Sequence, residues 1–341
     1  MNRADFDEAS WFPVDLHVPE RWFSFARVAP DVVERSAFLD TRIEARIDDL
    51  RRVPVDELPP IPMPLHLGWL FHTSFCGSTL LARALHGGAR TVLREPLVLR
   101  RLGDARRSGA DIAGLSDAAA RLLGRPWTLG GQVIVKPTHA ALNVARDLLD
   151  ATPTSRAVIL TSSLDDFLVS NIKKAPETQA KVSELAERAL NASTFGQRLP
   201  TPALTPPDLL CAVSLQWAAQ RQVCADLLGA GVAERVRTLD AAQLYSHPDD
   251  VAVAAALWLG ECTDTGDIRV RASRVATRNA KATDVAYDAA ARDREVAAVA
   301  RHYARELRAA RNWFDLNVAP HMSDTAFNLD AAAPLVPATN D

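Results

Sequence analysis

One stretch decides the fold of this chain: Phe71-His72-Thr73-Ser74-Phe75-Cys76-Gly77-Ser78-Thr79-Leu80-Leu81. The apolar run before it, residues 65–70, predicts a buried strand, and the apolar residues that end it predict the start of a helix. A strand, a turn of small residues and a helix together hold phosphate, because the first N–H groups of the helix lack intrahelical partners and the helix dipole is positive there. Gly77 lets the backbone approach an anion, and the hydroxyls of Ser78 and Thr79 add donors.

The stretch departs from the phosphate loop of ATP-binding proteins. That loop needs Gly-x-x-x-x-Gly-Lys-Ser/Thr. Here His72 stands at the first glycine position and Ser78 at the lysine position, so that only Gly77 and Thr79 match. Taken alone, the stretch is as typical of an ordinary turn with Thr79 near the helix N-terminus as it is of a phosphate site.

Strands and helices alternate from residue 65 onward. The predicted strands are 65–72, 89–93, 132–136 and 156–161, and the predicted helices are 79–86, 116–124, 140–149 and 165–175. This alternation predicts an α/β fold, a doubly wound parallel sheet with helices on both faces. Ligands of such sheets bind at the carboxyl ends of the strands, where the stretch 71–81 lies.

The pattern divides the chain into three regions. These are an N-terminal extension (1–60), an α/β domain (61–330) and a disordered tail (331–341). The aromatic residues of the extension predict packing onto the core, and residues 32–52 predict a polar helix. Beyond residue 170 the domain is predicted to be mainly helical, with helices 177–193, 208–229, 248–259 and 284–311 and one strand, 234–239.

Several motifs, in chain order, resemble those of the sulfotransferase family. Gly77-Ser78-Thr79-Leu80-Leu81 is similar to the loop with which that family holds the 5′-phosphosulfate of its donor. The other similar segments are Arg94–Leu97, Val133–His139, Ala157–Ser170 and Arg235–Gly260. The resemblance runs from about residue 65 to residue 281 and implies a P-loop fold of the sulfotransferase type. It also implies an enzyme that moves a sulfuryl group from 3′-phosphoadenosine 5′-phosphosulfate to a hydroxyl or amine.

The resemblance implies where the donor binds and which residues act on it. The implied donor-binding residues are Cys76, Gly77, Ser78, Thr79, Leu80, Ser162, Ser170, Lys173, Lys174 and Lys281. Ser170, Lys173 and Lys174 are expected at the 3′-phosphate, with Lys281 in a late basic loop that closes on the same phosphate. Lys136 ends an apolar strand and is expected as a catalytic cation in the pocket, because a buried lysine needs a partner. No metal is expected.

Two residues are candidates for the base that takes the proton of the acceptor. Glu95 ends the second strand beside the loop, and a glutamate there is the base in several sulfotransferase branches. His139 follows Lys136 in a near copy of the family's Lys-Thr-His element, whose histidine is the base in the cytosolic branch. The sequence favours Glu95, because Lys136-Pro137-Thr138-His139 carries one extra residue that is expected to rotate the imidazole away.

Two departures from the family pattern keep other functions open. Phe75 stands where the family loop has lysine or arginine, and Ser162 stands where an arginine grips the 3′-phosphate. Both departures remove positive charge from the implied site. The alternatives are an ATP-dependent phosphotransferase and a P-loop domain that binds a nucleotide or a partner without catalysis. Stretches 100–130 and 176–206 are expected to be variable loops around the acceptor pocket.

Composition limits the partners. The 341 residues contain 39 Lys and Arg against 42 Asp and Glu, which gives a formal net charge of −3. This balance argues against a general nucleic-acid-binding protein, although a nucleotide needs only a local cationic pocket. The sequence has no run of about 18 apolar residues and no apolar segment typical of a signal peptide near residue 1, so we expect a cytoplasmic protein without a membrane partner. The expected acceptor is a small molecule or a peptide, and the four scattered cysteines indicate neither a zinc site nor disulfides.

Overall fold

A computed structural model of the chain describes residues 3–43, 50–229, 231–260, 264–282 and 284–336. The strands of these residues are β1 (Trp11–His17), β2 (Trp22–Arg27), β3 (Arg51–Pro54), β4 (Leu67–His72), β5 (Arg90–Arg94), β6 (Gln132–Lys136), β7 (Arg156–Thr161) and β8 (Val236–Asp240).

The helices are α1 (Arg3–Asp7), α2 (Pro30–Arg35), α3 (Ser78–Leu85), α4 (Leu97–Arg107), α5 (Leu115–Leu123), α6 (Ala145–Ala151), α7 (Leu164–Ile172), α8 (Pro176–Gln179), α9 (Val182–Asn191), α10 (Phe195–Arg198), α11 (Thr201–Leu204), α12 (Leu209–Gly229), α13 (Ala241–Ser246), α14 (Pro248–Leu259), α15 (Thr265–Ala276), α16 (Ala289–His302), α17 (Ala304–Asn317), α18 (Asp324–Phe327) and α19 (Leu329–Ala332). Short 3-10 helices cover Val55–Glu57, His139–Val144, Ala233–Arg235 and Ala319–His321. No helix of the described ranges is long and apolar enough to cross a membrane.

A five-stranded parallel sheet with the order β5-β6-β4-β7-β8 forms the centre of the molecule. Every residue of β4 and β6 is buried, and successive side chains belong to two apolar clusters on opposite faces. Trp69 and Phe71 lie in one cluster and Leu70 lies in the other. Burial on both faces explains why these strands are apolar throughout instead of alternating. The predicted α/β class is confirmed, and all five predicted strands are present with bounds within two residues.

The N-terminal extension contains a three-stranded antiparallel sheet, β1-β2-β3, that the sequence analysis did not predict. Its aromatic residues Trp11, Phe12, Phe23 and Phe25 are buried in the same cluster as Trp69, as predicted. The predicted polar helix 32–52 is wrong where it can be compared: α2 ends at Arg35 and residues 51–54 pair with β2. Residues 44–49 of that prediction lie outside the described residues.

Two other elements differ from the prediction. Helix α4 occupies part of the expected loop 100–130, although Gly103 lies in its middle. A Cβ at Gly103 would stand 3.0 Å from the backbone of Ala140 and Ala141, so this glycine permits close packing instead of ending the helix. The single helix expected over 284–311 is two helices, α16 and α17, with Tyr303 between them at φ −103° and ψ 25°.

The first residues of the expected disordered tail are ordered against the sheet. The Thr238 N–H of β8 donates to the carbonyl of Ala333, and the Leu335 N–H donates to the carbonyl of Thr238. The buried Arg221 guanidinium pairs with Asp330 at 3.0 Å and fixes the segment just before them. The tail therefore differs from the prediction over 331–336, and residues 337–341 lie outside the described residues.

Candidate functional site

A cleft of about 780 Å³ opens at the carboxyl edge of the parallel sheet. Its walls are the loop between β4 and α3, the end of β5, the C-terminus of α7, and the segments 276–281 and 287–296. Eleven of the residues predicted to be donor-binding or catalytic line it: Cys76, Gly77, Ser78, Thr79, Leu80, Glu95, His139, Ser170, Lys173, Lys174 and Lys281. The strand order explains this convergence, because β5, β6, β4 and β7 are neighbours and end at the same edge.

Gly77 sets the geometry of the loop at the base of the cleft. Its φ of +83° is left-handed, and α3 begins at the next residue. A Cβ at this position would stand 2.7 Å from the Tyr245 hydroxyl oxygen, so both the backbone angle and the packing require glycine here. The N–H groups of Ser78 and Thr79, in the first turn of α3, have no intrahelical acceptor. The loop can therefore donate backbone hydrogen bonds to an anion in the cleft.

A layer of buried polar side chains supports the loop from below. The Ser74 N–H donates to Gln220 Oε1 at 3.2 Å, and Gln216 Nε2 donates to Ser74 Oγ at 3.1 Å. Both glutamines lie on α12, which is buried along most of its length. No sequence motif predicts this support, because α12 is more than 130 residues from the loop in the chain and its glutamines carry no local signal.

The loop has an aromatic ring where the family pattern has a cation. Phe75 adopts a left-handed φ of +58°, and its ring lies 6.0 Å from that of Phe167. The ammonium of Lys174, at the end of α7, stands 4.8 Å from the centre of the Phe75 ring. Positive charge is therefore present over position 75, although the loop itself does not supply it.

Glu95 and Lys136 form a buried ion pair at the inner end of the cleft. Lys136 Nζ lies 2.5 Å from Glu95 Oε1, and the two side chains are 1% and 16% exposed. Burial is the largest single influence on Glu95 and raises its pKa, but the charge and hydrogen bond of Lys136, together with His72 and His139, outweigh it and bring the pKa down to about 2. Lys136 does not line the cleft, so the expectation that it is a cation in the pocket is wrong, and its ammonium is instead paired with Glu95. Glu95 also has a left-handed φ of +55°.

Two histidines lie beside this ion pair. The His139 ring stands 6.0 Å from the His72 ring and lines the cleft, so the extra residue in the Lys-Pro-Thr-His element does not rotate it away. Burial lowers the pKa of His139 to about 4, with Glu95 opposing and Lys136 adding to the shift. His139 is therefore neutral at pH 7.

His72 has a different role. Its two ring nitrogens lie 2.8 Å and 2.9 Å from the carbonyl oxygens of Thr73 and Pro137. Burial lowers the pKa of His72 well below its usual value, so it supplies no positive charge in place of the missing loop lysine. It is a buried residue that joins the end of β4 to the segment after β6.

The outer end of the cleft contains two kinds of basic side chain. Lys173 pairs with Glu295 at 2.9 Å, and Arg292 pairs with Asp166 at 3.0 Å. In contrast, neither Lys174 nor Lys281 has a carboxylate within 4 Å among the residues that the structure describes. Burial lowers the pKa of Lys174, and the nearby ammonium of Lys281 lowers it further.

Ser162 is an expected donor-binding residue that lies outside the cleft. It is 1% exposed, it is not part of the cleft lining, and its carbonyl accepts a hydrogen bond from the indole of Trp217 at 2.9 Å. Its expected contact with the donor is therefore wrong, because the end of β7 is covered by α12.

The segment that carries Lys281 is fixed by Arg83 of α3. Arg83 donates from Nε to the carbonyl of Ala280 at 2.6 Å.

Several lining residues had no signal in the sequence. Phe38 and Arg42 come from the N-terminal extension, where the backbone of Leu39 bonds to that of Arg94 and so lies beside the end of β5. The Arg42 guanidinium stands 4.0 Å from the Phe38 ring centre. Arg292 of α16 lies 3.9 Å from the Tyr245 ring. These contacts join segments that are far apart in the chain, and only the fold brings them together.

The described residues contain no cluster of three or more His, Cys, Asp or Glu side chains arranged to hold a metal ion. A second cavity, of about 700 Å³, lies between α4, α9 and α12. Arg107 on its wall is already paired with Glu187 at 2.7 Å, and the cavity contains none of the predicted site residues. The cleft at the sheet edge is therefore the candidate site.

No protein-family model matches the chain, and no curated protein matches it. Among solved structures, the chain is similar to a sulfotransferase domain from the curacin biosynthetic pathway. The identity is 12% and the TM-score 0.39, and the match covers 72% of this chain and 99% of that chain. At this TM-score the likeness carries no weight in the argument for function.

Proposed function

We propose that the cleft binds 3′-phosphoadenosine 5′-phosphosulfate and that the protein transfers its sulfuryl group to a hydroxyl or amine acceptor. The observation that carries the proposal is the convergence, in one cleft, of a glycine loop at a helix N-terminus, a neutral histidine and two lysines that have no carboxylate within 4 Å among the described residues. Of the described lining residues, six are Lys or Arg and three are Asp or Glu. This excess of positive charge suits a donor that carries phosphate groups at both its 5′ and 3′ ends.

The loop and the end of α7 provide places for the two ends of the donor. The first N–H groups of α3 and the hydroxyls of Ser78 and Thr79 suit the 5′-phosphosulfate, because they donate hydrogen bonds and cost no reorganisation. Ser170 and Lys173, which line the cleft at the end of α7, suit the 3′-phosphate. The donor supplies the electrophilic sulfur and a phosphate leaving group, and the chain supplies position and charge.

We assign His139 as the base that takes the proton of the acceptor, although the sequence favours Glu95. Both residues line the cleft, but Lys136 Nζ holds the Glu95 carboxylate at 2.5 Å, whereas burial lowers the pKa of His139 and leaves its imidazole neutral at pH 7 and able to take a proton. The acceptor oxygen or nitrogen forms the new bond to sulfur while the bond from sulfur to the bridging phosphate oxygen breaks. The electron pair of that bond stays on the leaving adenosine 3′,5′-bisphosphate, and a ring nitrogen of His139 takes the proton. Glu95 stabilises the imidazolium that forms.

Donor consumption tests this proposal. The protein is incubated with donor labelled in the sulfuryl group, with water and a panel of phenols, alcohols and amines as acceptors. We expect release of adenosine 3′,5′-bisphosphate, its loss in His139→Gln, and unchanged affinity of that variant for the bisphosphate. If Glu95→Gln stops turnover while His139→Gln does not, the assignment of the base is wrong. If the wild type binds the bisphosphate but never consumes the donor, the protein is a non-catalytic binding domain.

A further inference from the structure

We propose that Lys174 and Lys281 close on the 5′ end of the donor nucleotide, over Phe75, and that neither binds the 3′-phosphate. This assignment rests on the proposed function and differs from the sequence expectation, which gives both lysines to the 3′-phosphate. The loop of this chain has no lysine or arginine of its own, and the proposal identifies the two lysines that supply positive charge to the reacting end of the donor instead.

The position of Lys174 is the first support. Its ammonium stands 4.8 Å from the ring centre of Phe75, the residue two positions before Gly77. The adjacent Lys173 points to a different neighbour, Glu295, at 2.9 Å. Two consecutive lysines therefore serve different parts of the cleft, and Lys174 is the one that stands over the loop.

The position of Lys281 is the second support. Its ammonium lies 5.6 Å from the ring centre of Phe38, on the wall of the cleft that adjoins Glu95. The backbone bond from Leu39 to Arg94, at 2.6 Å, fixes that wall beside the end of β5. The carbonyl of Ala280, next to Lys281, is tied to Arg83 of α3. Lys281 is therefore anchored to α3, whose N-terminus faces the cleft. It stands on the side of the cleft where the reaction is proposed.

The third support is that neither lysine is paired with a carboxylate of the described residues. Among the described residues neither ammonium has a carboxylate within 4 Å, whereas the other lysines of the site, Lys136 and Lys173, are both paired. The charge of Lys281 lowers the pKa of Lys174, so the two ammonium groups repel each other, and an anion between them removes that repulsion. A phosphosulfate held by the loop is such an anion, and we propose that it lies between the ammonium groups of Lys174 and Lys281.

Two ligands distinguish contacts with the 5′ end of the donor from contacts with its 3′-phosphate. Adenosine 5′-phosphosulfate carries the reacting end without a 3′-phosphate, and adenosine 3′,5′-bisphosphate carries both phosphates. Because a hydrogen bond between charged groups is worth about 1.5–3 kcal/mol, we expect Lys174→Ala to weaken the binding of both ligands by about 10- to 100-fold, as measured by calorimetry. Lys281→Ala is expected to act in the same direction. Lys181→Ala, an exposed lysine outside the cleft, is the matched control and should change neither affinity.

A compensating substitution tests the position directly. In the Lys174→Ala background, Phe75→Lys returns an ammonium to the same region and should recover most of the lost affinity for adenosine 5′-phosphosulfate. Phe75→Met, of similar length but uncharged, should not. If Lys174→Ala weakens only the bisphosphate, the lysine serves the 3′-phosphate and the proposal is overturned, whether or not the Phe75 variants fold. If the wild type binds neither ligand, the proposed function fails instead.

Discussion

The two ends of the cleft hold their charges in opposite ways. At the inner end, Glu95 and Lys136 are buried and paired at 2.5 Å. At the outer end, Lys174 and Lys281 face the open cleft with no carboxylate within 4 Å among the described residues. Removing one partner of a buried ion pair lowers folding stability strongly, because the other charge stays unpaired in the protein interior. An unpaired charge at a cleft wall adds little to folding and is available to a ligand. The comparison predicts that stability depends on the inner end and ligand affinity on the outer end.

The largest effect is expected for the inner pair. Lys136→Met leaves the Glu95 carboxylate without its counter-ion and should lower the free energy of unfolding by about 3–5 kcal/mol. The matched change at the outer end, Lys174→Met, should alter it by no more than about 0.5 kcal/mol. Urea unfolding of the two variants makes the comparison. Equal losses in both would mean that the two ends do not differ in the way proposed.

Acid should lower the free energy of unfolding in a defined pH window, through the residues at the inner end of the cleft. Glu95 has its pKa lowered from 4.5 to about 2, so its contribution is full above pH 4.5 and is lost as the pH falls through that range toward 2. His139 has its pKa lowered from 6.5 to about 4, so the unfolded chain binds its proton first and stability also falls between those values. We expect unfolding free energy to decline from about pH 6.5 downward, and His139→Gln to reduce the decline above pH 4. A variant with the same profile as the wild type would contradict the assignment.

A smaller effect on stability, with a large effect on binding, is expected at the loop. Gly77→Ala forces alanine into a left-handed φ of +83° and against Tyr245, whose ring is held by Arg292. Gly109→Ala is the control, because its φ is +74° but nothing lies within 4 Å of the new methyl group. We expect about 1–2 kcal/mol of destabilisation from the backbone in both and a further loss only at Gly77. Nucleotide binding, measured by calorimetry, should be lost only in Gly77→Ala. Loss of binding in Gly109→Ala would show that the effect is not local to the loop.

The sequence predicted the parts of the molecule that depend on neighbours in the chain. Strands β4, β6 and β7 are built around short apolar runs, and the loop after β4 carries its own signal in Gly77, Ser78 and Thr79. Most of the expected donor-binding residues line one cleft. Those of the loop follow β4 directly, and Ser170, Lys173 and Lys174 lie at the end of the helix that follows β7. Strand β3 and the break at Tyr303 had no such signal, because tertiary packing decides them.

The site was predicted less completely than the sheet. The pairing of Lys136 with Glu95 joins two residues that are 41 positions apart in the chain, at the ends of neighbouring strands, and no local motif encodes it. Ser162 was expected in the site because it follows β7, but α12 covers it. The placement of Lys174 over Phe75 depends on how α7 packs, which no motif encodes.

The most direct test of the central claim is a calorimetric comparison of two nucleotides. Adenosine 3′,5′-bisphosphate is titrated into the wild type with chelator and no divalent cation, and ATP is titrated with Mg²⁺. A ligand at a hundredfold excess over its dissociation constant stabilises the fold by about 2.7 kcal/mol, so thermal unfolding gives an independent readout. The account predicts that the bisphosphate binds at least about tenfold more tightly than ATP–Mg²⁺, a difference of about 1.4 kcal/mol. Tighter binding of ATP–Mg²⁺ would contradict it and favour a phosphotransferase, and binding of neither nucleotide would remove the cleft from nucleotide chemistry.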